Sequence, residues 1–557
     1  MKRIFSLFAM LLGTLTLLYA QDGPVGTPYT FMHKDISLSI DKVDLPDVDY
    51  AALLEEDAAA TKGMPLRVGV GHKVNFTFHN SGRLDELSDG SRLWRLALRS
   101  PGAVMMSVVF SHFNIPENAT LHIYSSDRSQ LVGTYTNDNV ESNGLFASDD
   151  IIGDELVIEY YEPADALFHG EIEIAKIIHI YRDFLHVSSD NGSKGPHGDA
   201  EGDCHLDVIC PEGDGWGDQI KSVVCIEMNM PDGYTYLCSG AMINNVRQDK
   251  TPYVLTANHC FVGTDMTGCT IKFYFEYETY ECGGLGGSYK KNASGAEVVA
   301  NANYNGSSAT LNRSSDFLLF KITGNISTSF RDNIVFAGWD ATGASSVGAA
   351  IHHPGGDFKK ISIPRVVYSN GTTSKYWVVG WHTNPTKGVT EQGSSGSPLF
   401  NANGLIIGDL STGSSACDNL DGTDNYGKIS YSWTNNNNTS NSHKLQPWLD
   451  PDNTGTKVLQ GIHYNGTPAN LKEVEMPVRA LSVSPNPTSG NVVVTGNFES
   501  ESGVCHIYNM MGVLVHTENV PLGSSVNMDL SSLPNGIYLM EMVCGNVVYK
   551  SKLAIAR

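Results

Sequence analysis

Basic residues are scarce in this chain, and so are charged residues in general, which excludes several classes of protein. The 557 residues carry 37 Lys and Arg against 60 Asp and Glu, a formal net charge of −23. Binding to a phosphate backbone needs clustered basic side chains, so we expect no nucleic-acid partner. Charged residues make up 17% and hydrophobic residues 41%, which is typical neither of a disordered chain nor of a coiled coil.

Long hydrophobic runs are missing after the first twenty residues, which argues against further membrane spans. Residues 1–20 begin with the basic Met1-Lys2-Arg3, continue without charge from Ile4, and end in a small residue, Ala20, before Gln21. This pattern predicts a signal peptide. A membrane anchor is the alternative, but the apolar run is at the bottom of the spanning range and a polar segment follows it. We expect an exported, soluble protein.

No Cys-x-x-Cys pair occurs, which disfavours a structural zinc site. Residues 21–203 contain no cysteine, whereas eight of the ten cysteines lie between Cys204 and Cys417. An even number of cysteines in an exported protein indicates disulfides, and their uneven distribution marks a domain boundary.

Short strand-like runs closed by polar turns predict an all-β protein. With 56 Gly and 23 Pro, the chain is rich in turn residues, and no helical pattern is long enough to carry a helical architecture. Residues 21–194 resemble an antiparallel β-sandwich and hold 27 acids against 13 bases. Polar linkers are predicted at 187–203 and 453–479, with a second β-rich domain at 195–452 and a small β-sandwich at 480–557.

Three short segments of the 195–452 domain carry residue types that suit nucleophilic catalysis. His259 follows a strand-like run, Asp316 opens another, and Ser395 stands in the glycine-framed turn Gly393-Ser394-Ser395-Gly396. A serine hydroxyl attacks a carbonyl only when an imidazole takes its proton and a carboxylate orients that imidazole. The main-chain N–H groups of Gly393 and Ser395 would converge on one point, as an oxyanion hole requires.

Each segment also has an ordinary explanation. A histidine beside a disulfide is usually packed, an aspartate at a strand start is usually solvated, and Gly-Ser runs are usually linkers. Here, however, the serine run leads into the apolar Pro398-Leu399-Phe400, which a linker would not need. An inactive, protease-like surface adhesin remains the alternative of a different class, although it would not need all three residues.

Thr256-Ala257-Asn258-His259-Cys260 and Gly393-Ser394-Ser395-Gly396-Ser397-Pro398 resemble the two signature blocks of chymotrypsin-clan serine proteases. The chain is most similar to bacterial lysyl endopeptidases of the Achromobacter protease I type, over about 250 residues ending at Trp448-Leu449-Asp450-Pro451. The resemblance implies a chymotrypsin-like double β-barrel with the three residues in the cleft. It also implies three disulfides: Cys204–Cys417, Cys210–Cys282 and Cys238–Cys260.

Four cysteines have no partner in that resemblance. Cys225–Cys269 and Cys505–Cys544 are therefore hypotheses for a fourth and a fifth bridge.

Substrate choice depends on the primary pocket. The position six residues before the nucleophile, where many proteases of the clan carry an acid, is Val389. In lysyl endopeptidases an aspartate after the last cysteine of the protease domain binds the substrate lysine instead, and Asp424, after Cys417, matches it. The alternative is that Asp424 is an ordinary acidic residue of a surface turn. A single carboxylate suits the compact lysine ammonium and offers no fork for guanidinium. Ser411 and Gly413 lie on the strand that lines the pocket in this family, so we predict cleavage after lysine, with mixed Lys/Arg preference as the alternative.

Self-processing follows from the predicted specificity. Lys194-Gly195 lies in the polar linker, so we predict that residues 21–194 are a propeptide removed by cleavage at Lys194.

His352 and His353 are adjacent and would point apart on a strand, so we expect no metal. We also expect no cofactor, lysine-containing proteins or peptides as substrates, and a monomer.

Residues 480–557 contain Ser484-Pro485-Asn486-Pro487, Met511-Gly512 and Pro534-Asn535-Gly536, and end with the basic Lys550 and Lys552. This ordered set resembles the C-terminal sorting domain of type IX secretion substrates of Bacteroidetes. It implies recognition by an outer-membrane secretion machinery and a secreted or cell-surface location. An adhesive or carbohydrate-binding sandwich is the alternative, although no aromatic platform is visible.

Overall fold

The structure is a computed structural model that describes residues 26–557 with gaps. The residues left out are 34–35, 37–39, 41, 61, 142, 185–203, 262–264, 285, 290–292, 303–314, 325, 328–329, 370–373, 384–387, 435–439, 470–477, 497, 499–501, 510–513, 522, 524 and 545–546. The chain divides into two compact units, Met1–Lys472 and Glu473–Arg557. Within the first unit we call residues 26–184 the N-terminal region and residues 204–469 the central region.

Strands dominate both units, so the all-β prediction is confirmed. The described helices are short. The α-helices are Tyr29–Met32, Tyr50–Ala58, Gly217–Ser222, Ile429–Thr434 and Gln446–Leu449, and the 3₁₀ turns are Asn137–Asn139, Pro211–Gly213, Asn258–Cys260, Arg331–Asn333, Pro354–Gly356 and Asn441–His443. None of the helices in the described part of the chain is both long and apolar enough to span a bilayer.

The N-terminal region packs one complete sheet against part of a second. The alternating sequence of Glu155–Glu162 places apolar side chains on a core that includes Trp94, Phe110 and Tyr160, all fully buried. The complete, 6-stranded sheet runs Lys42–Asp44, Arg92–Arg99, Glu155–Glu162, Thr120–Ser125 and Leu131–Tyr135, with Arg83–Glu86 added to Arg92–Arg99.

The second sheet has 12 strands and is shared between the N-terminal and central regions. Its main path runs Ala293–Ser294, Thr270–Tyr274, Val223–Asn229, Tyr234–Ile243, Leu66–Thr77, Glu171–Ile180, Met105–Asn114 and Phe146–Ala147, and its side strands are Ile151–Ile152, Tyr253–Ala257, Ala296–Asn301 and Phe317–Ile322. Tyr234 lies opposite Val70 and Leu237 opposite Leu66, in antiparallel pairing. One continuous sheet therefore joins the two regions.

The central-region strands of this sheet close into a first barrel. Thr270–Tyr274 pairs with Ala293–Ser294, which leads directly into Ala296–Asn301. That strand pairs with Phe317–Ile322, which pairs in turn with Tyr253–Ala257. The closed path surrounds an apolar core that includes Ile226, Phe273 and Phe320.

A 10-stranded sheet forms the second barrel. Its path runs Leu206–Asp207, Lys360–Ser362, Ala349–His352, Pro398–Phe400, Ile406–Gly413, Thr423–Lys428, Tyr376–Trp381 and Pro364–Tyr368, with Trp339–Asp340 and Val458–Leu459 at its side. Only Ile363 separates Lys360–Ser362 from Pro364–Tyr368, so the two sides of the sheet meet and close it. Two-stranded pairs complete the region: Glu278–Thr279 with Gly287–Ser288, and Val335–Phe336 with Ile462–His463.

The chain after residue 452 differs from the predicted linker. Val458–Leu459 pairs with Trp339–Asp340, and Ile462–His463 pairs with Val335–Phe336, so this stretch packs on the central region. Its turn-rich composition concealed two short strands that long-range pairing stabilises. Residues 470–477 lie outside the described residues.

The second unit contains two sheets. The 5-stranded sheet runs Val478–Ala480, Val547–Ile555, Gly536–Cys544, Ser502–Asn509 and Leu514–Pro521, and the 3-stranded sheet runs Ser482–Ser484, Asn491–Thr495 and Val526–Asp529. Their shared core contains Val494, Ile507, Met540 and Leu553, which makes the unit a small β-sandwich.

The structure contains the disulfides Cys204–Cys417, Cys210–Cys282 and Cys238–Cys260, which are the pairs that the resemblance implies.

The hypothesis of a Cys225–Cys269 bridge is wrong, because both cysteines are free, buried thiols. Cys225 lies opposite Tyr274, whereas Cys269 precedes Thr270 at the other end of the same strand pair. Five residues along a strand separate the two thiols by about 17 Å, beyond the reach of a disulfide. The side chain of Cys544 lies outside the described residues, so Cys505–Cys544 stays a prediction.

Candidate active site

His259 lies in a buried turn at the end of a strand of the first barrel. The strand Tyr253–Ala257 runs into the 3₁₀ turn Asn258–Cys260, which the Cys238–Cys260 disulfide ties to the neighbouring strand. The main-chain N–H of Asn258 donates to the carbonyl oxygen of Asp316 at 2.6 Å. The His259 imidazole is therefore held at a fixed position, only 6% exposed.

Asp316 contacts His259 through both carboxylate oxygens. Its Oδ2 lies 2.7 Å from His259 Nδ1, and its Oδ1 accepts the His259 main-chain N–H at 3.0 Å. Ser411 Oγ donates to Oδ2 at 2.6 Å. Asp316 has φ 65°, a strained left-handed conformation that aspartate tolerates better than most residues. The carboxylate is fully buried and can hold the imidazole in one tautomer.

Ser395 lies in the turn that precedes the strand Pro398–Phe400 of the second barrel. Its carbonyl oxygen accepts the main-chain N–H of Ser239 at 2.8 Å, which ties the turn to the first barrel. Gly393 has φ 91°, and a Cβ at this position would lie 2.8 Å from the carbonyl oxygen of His353. Only glycine fits this turn without strain.

Several polar groups around Ser395 are left for a ligand. Within the described residues, His259 Nε2 is buried with no hydrogen-bond partner. The main-chain N–H groups of Gly393 and Ser395 likewise donate to no acceptor in the part of the chain that the structure describes. A buried unpaired donor or acceptor is costly unless a ligand satisfies it.

Asp424 lies at the floor of a pocket beside Ser395, where its side chain is fully buried. Three donors converge on its Oδ2: Trp381 Nε1 at 2.7 Å, Thr390 Oγ1 at 2.7 Å and Ser415 Oγ at 2.5 Å. Because these donors fix the carboxylate and saturate Oδ2, only Oδ1 is directed towards the pocket. The pocket presents one anionic oxygen at its floor.

Gly413 lies opposite Asp424 in the pair of strands that forms the pocket wall. A Cβ at this position would lie 1.8 Å from Asp424 Oδ1. Such a distance is far inside van der Waals contact, so any side chain here would displace the carboxylate. Gly413 is therefore a structural condition for the position of Asp424.

Lys62 of the N-terminal region occupies this pocket. Its Nζ donates to Asp424 Oδ1 at 2.7 Å, to the carbonyl oxygens of Thr390 at 2.6 Å and Ser415 at 2.8 Å, and to Ser415 Oγ at 2.8 Å. The side chain is 9% exposed. Burial lowers the pKa of Lys62 from its ordinary value, while the charge of Asp424 acts to raise it.

The backbone around Lys62 contacts the serine turn. Ser395 Oγ donates to the carbonyl oxygen of Lys62 at 3.4 Å. On the following side, Gln392 Nε2 donates to the carbonyl oxygens of Pro65 at 3.2 Å and Met64 at 3.5 Å. The bond between Lys62 and Gly63 therefore lies beside the Ser395 hydroxyl.

His352 and His353 have different surroundings. His352 Nδ1 and Nε2 lie 2.8 Å from the hydroxyls of Ser394 and Ser362, and His353 Nδ1 lies 3.0 Å from the carbonyl oxygen of Asp357. Burial lowers the pKa of His353 to about 3 and that of His352 well below its ordinary value. Both rings support the turns around Ser395 in their neutral form.

The structure brings several of the predicted residues together: Asp316 contacts both His259 and Ser411, and Gly413 lies against Asp424. The Ser395 carbonyl oxygen lies 3.8 Å from the Sγ of Cys260, the residue after His259. Lys194 and Gly195 lie outside the described residues. The sequence interpretation missed Lys62, Gln392 and the donors to Asp424. The only available signal for Lys62 was the dipeptide Lys62-Gly63, which repeats Lys194-Gly195.

Comparison with known families covers most of the chain. The model of the lysyl endopeptidase C-terminal domain matches residues 198–427, and that of the lysyl endopeptidase N-terminal domain matches residues 44–180. The model of the secretion system C-terminal sorting domain matches residues 482–556. The three matches lie in separate, successive parts of the chain.

Individual proteins are also similar. A lysyl endopeptidase of Pseudomonas aeruginosa is 27% identical over 384 residues, which cover 64% of this chain and 77% of that protein. Among solved structures, "HL collagenase structure at 1.7 Å resolution" is 16% identical, with a TM-score of 0.28 over 43% of this chain and 96% of the other. "Structure of GrC" is 15% identical, with a TM-score of 0.27 over 38% and 90%. The family of this chain is therefore given by the sequence matches.

Proposed function

We propose, from the premise that this chain belongs to the lysyl endopeptidase family and is a serine endopeptidase, that it hydrolyses peptide bonds on the carboxyl side of lysine. The observation that carries this proposal is the ammonium of Lys62, bound by Asp424 Oδ1 at 2.7 Å beside Ser395. The protein's own lysine thus provides an example of the side chain that the pocket accepts.

In the proposed mechanism, Ser395 Oγ attacks the carbonyl carbon of the substrate. His259 Nε2 takes the hydroxyl proton and passes it to the leaving amine, while Asp316 orients the imidazole and stabilises its charged form. The main-chain N–H groups of Gly393 and Ser395 would stabilise the oxyanion. The 2.7 Å contact between His259 and Asp316, together with the unpaired Nε2, supports these roles.

Lysine over arginine follows from the chemistry of the pocket floor. A guanidinium binds a carboxylate best through two parallel hydrogen bonds, which need both oxygens. Three donors already saturate Asp424 Oδ2, and four acceptors lie within 2.8 Å of Lys62 Nζ, so that each of the three ammonium protons has a partner. The pocket therefore favours a compact point charge.

The C-terminal sorting domain indicates export, with secretion or attachment at the cell surface, through the type IX machinery. Within the proposal, residues 1–20 direct transfer across the inner membrane, and residues 21–194 are a propeptide removed by self-cleavage at Lys194. The enzyme acts as a monomer on lysine-containing proteins and peptides.

The test of specificity compares matched peptide substrates that differ only in the residue before the cleaved bond: lysine, arginine or glutamate. We expect kcat/KM for lysine to exceed that for arginine at least tenfold. Ser395→Ala should abolish hydrolysis, and Asp424→Asn should lower lysyl activity by 100-fold or more, because a buried ammonium then lacks its counter-charge. The exposed Asp421→Asn, in the loop before Asp424, is the control and should leave the rates unchanged.

Equal cleavage after arginine would contradict the specificity, as would lysyl activity that survives Asp424→Asn. Activity that survives Ser395→Ala would contradict the assignment of the nucleophile.

A further inference from the structure

We propose that the Lys62–Gly63 bond is a self-cleavage site, at which the N-terminal region presents Lys62 as a tethered substrate that blocks the pocket until it is cut. This inference rests on the proposed function, since it needs a nucleophilic Ser395 and a pocket for lysine. It adds a cleavage site inside the N-terminal region, 132 residues before Lys194.

Lys62 meets the requirements of a bound substrate residue. Its ammonium has an anionic partner and three further acceptors at 2.6–2.8 Å, and its side chain is 9% exposed. A lysine rarely loses its hydration without such compensation. All four acceptors belong to the pocket floor, whereas a surface lysine would keep its ammonium in water.

The peptide bond after Lys62 also lies where a substrate bond would be cut. The carbonyl oxygen of Lys62 lies 3.4 Å from Ser395 Oγ. Further along the chain, the carbonyl oxygens of Met64 and Pro65 accept hydrogen bonds from Gln392 Nε2. Gly63 lies between these two contacts, and a Cβ there would lie 3.1 Å from Thr412 Cγ2. The small residue after the cleaved bond lets the chain pass close to the pocket wall.

The chain is anchored on both sides of Lys62. After it, the strand Leu66–Thr77 pairs with Tyr234–Ile243 of the first barrel. Before it, the helix Tyr50–Ala58 ends near Asp57, whose carboxylate binds Arg67 Nε at 2.8 Å and Arg182 Nη2 at 2.8 Å. Elements on both sides of Lys62 are therefore held in place by the rest of the structure.

Cleavage of this bond needs no reactant except water. Ser395 Oγ would form an ester with the Lys62 carbonyl carbon as the bond to the Gly63 nitrogen breaks, and His259 would carry the serine proton to that nitrogen. Water would then hydrolyse the ester, leaving a carboxylate on Lys62 and an amine on Gly63. The same groups act as in the proposed reaction on external peptides.

The observed contact is a resting geometry. The Ser395 hydroxyl points to the Lys62 carbonyl oxygen, while His259 Nε2 and the N–H groups of Gly393 and Ser395 have no partner within the described residues. Cleavage needs the hydroxyl to turn towards His259 and the carbonyl oxygen to move onto the two N–H groups. We therefore expect a precursor in this geometry to cleave itself slowly, because both groups must move first.

The experiment follows the purified full-length precursor over time by intact mass and N-terminal sequencing. We expect a new N-terminus at Gly63, formed with a rate constant that does not change on tenfold dilution because the step is intramolecular. Ser395→Ala and Lys62→Gln should lack this terminus. The exposed Lys73→Gln, on the following strand, is the matched control and should produce it at the wild-type rate.

Hydrolysis of lysyl peptides is measured on the same samples, so that the two proposals fail separately. If lysyl peptides are cleaved but no Gly63 terminus forms at any time, the inference is overturned and the proposed function stands. If the terminus forms at a rate proportional to concentration, cleavage is between molecules and the tethered-substrate inference is overturned. If lysyl peptides are not cleaved at all, the proposed function fails and this inference with it.

Discussion

At the scale of single residues, the pocket with Asp424 at its floor depends on the absence of a side chain at position 413. Asp424 keeps its position because Gly413, across the strand pair, leaves room for its Oδ1. A side chain at position 413 should lower activity more than the loss of one hydrogen bond to Asp424, because it forces the carboxylate itself to move. A shift of about 1 Å in a binding group can cost about 100-fold in rate.

Gly413→Ala should therefore lower kcat/KM for lysyl peptides by about 100-fold or more. The measurement is steady-state hydrolysis of a lysyl peptide, with thermal unfolding recorded for each variant to exclude a loss of folded protein. Gly217→Ala is the control, because a Cβ there meets nothing within 4 Å. Retention of more than a third of the wild-type rate by Gly413→Ala would show that the pocket wall yields.

At the scale of elements, the strand Tyr234–Ile243 pairs with Val223–Asn229 along one edge and with two different strands along the other edge. Tyr234, Thr235, Tyr236 and Leu237 pair with the N-terminal strand Leu66–Thr77, whereas Ala241, Met242 and Ile243 pair with Tyr253–Ala257. The first half thus borrows its neighbour from the N-terminal region. If that region is removed, the first half becomes a sheet edge.

Hydrogen exchange should reveal this edge. We expect amides of residues 234–237 to exchange at least tenfold faster in the processed enzyme than in the Ser395→Ala precursor, because their main-chain groups lose a strand. Amides of residues 253–255 keep both neighbouring strands, Tyr234–Ile243 and Phe317–Ile322, and should not change. Equal protection of residues 234–237 in the two states would contradict the expected edge.

Much of this architecture could be predicted from the sequence, and the rest depends on long-range pairing. Alternating runs such as Glu155–Glu162 identify strands, and the blocks around His259 and Ser395 identify the site. Nothing local indicates that Leu66–Thr77 joins a barrel strand more than 150 residues later, since strand pairing has no local signature. For the same reason the position of Lys62 was not predictable, and the Cys225–Cys269 bridge was wrong.

At the scale of the whole molecule, a buried cluster of charges joins the N-terminal and central regions. Lys272 Nζ lies 2.9 Å from Asp150 Oδ1 of the N-terminal region and 3.0 Å from Glu227 Oε1. The Tyr274 hydroxyl lies 2.9 Å from Asp150 and 3.0 Å from Glu227. Burial and the nearby charge of Asp150 raise the pKa of Glu227 to about 7. Two carboxylates thus share one ammonium.

The association of the N-terminal and central regions should therefore weaken as the pH rises through 7. Without Asp150 the pKa of Glu227 is lower, so the joined state binds an extra proton and is favoured below pH 7. The lowered pKa of Asp150 and the raised pKa of Lys272 keep both groups charged between pH 6 and 8. We expect the cleaved N-terminal region to dissociate severalfold faster at pH 8 than at pH 6, as measured by size-exclusion chromatography.

Glu227→Gln should abolish this pH dependence, because it removes the titrating group without changing its shape. Glu297→Gln, at an exposed position of the same barrel, is the control and should retain it. A dissociation rate that rises equally in wild type and Glu227→Gln would assign the pH dependence to another group.

The occupied pocket also has a consequence for competition. A lysine held on the same chain acts at an effective concentration of about millimolar or above, set by the length and stiffness of the segment that carries it. The helix and strand on either side of Lys62 shorten that segment to a few residues. A free peptide at micromolar concentration is then outnumbered at the pocket about a thousandfold. The newly made chain should therefore spare neighbouring proteins in the compartments through which it is exported.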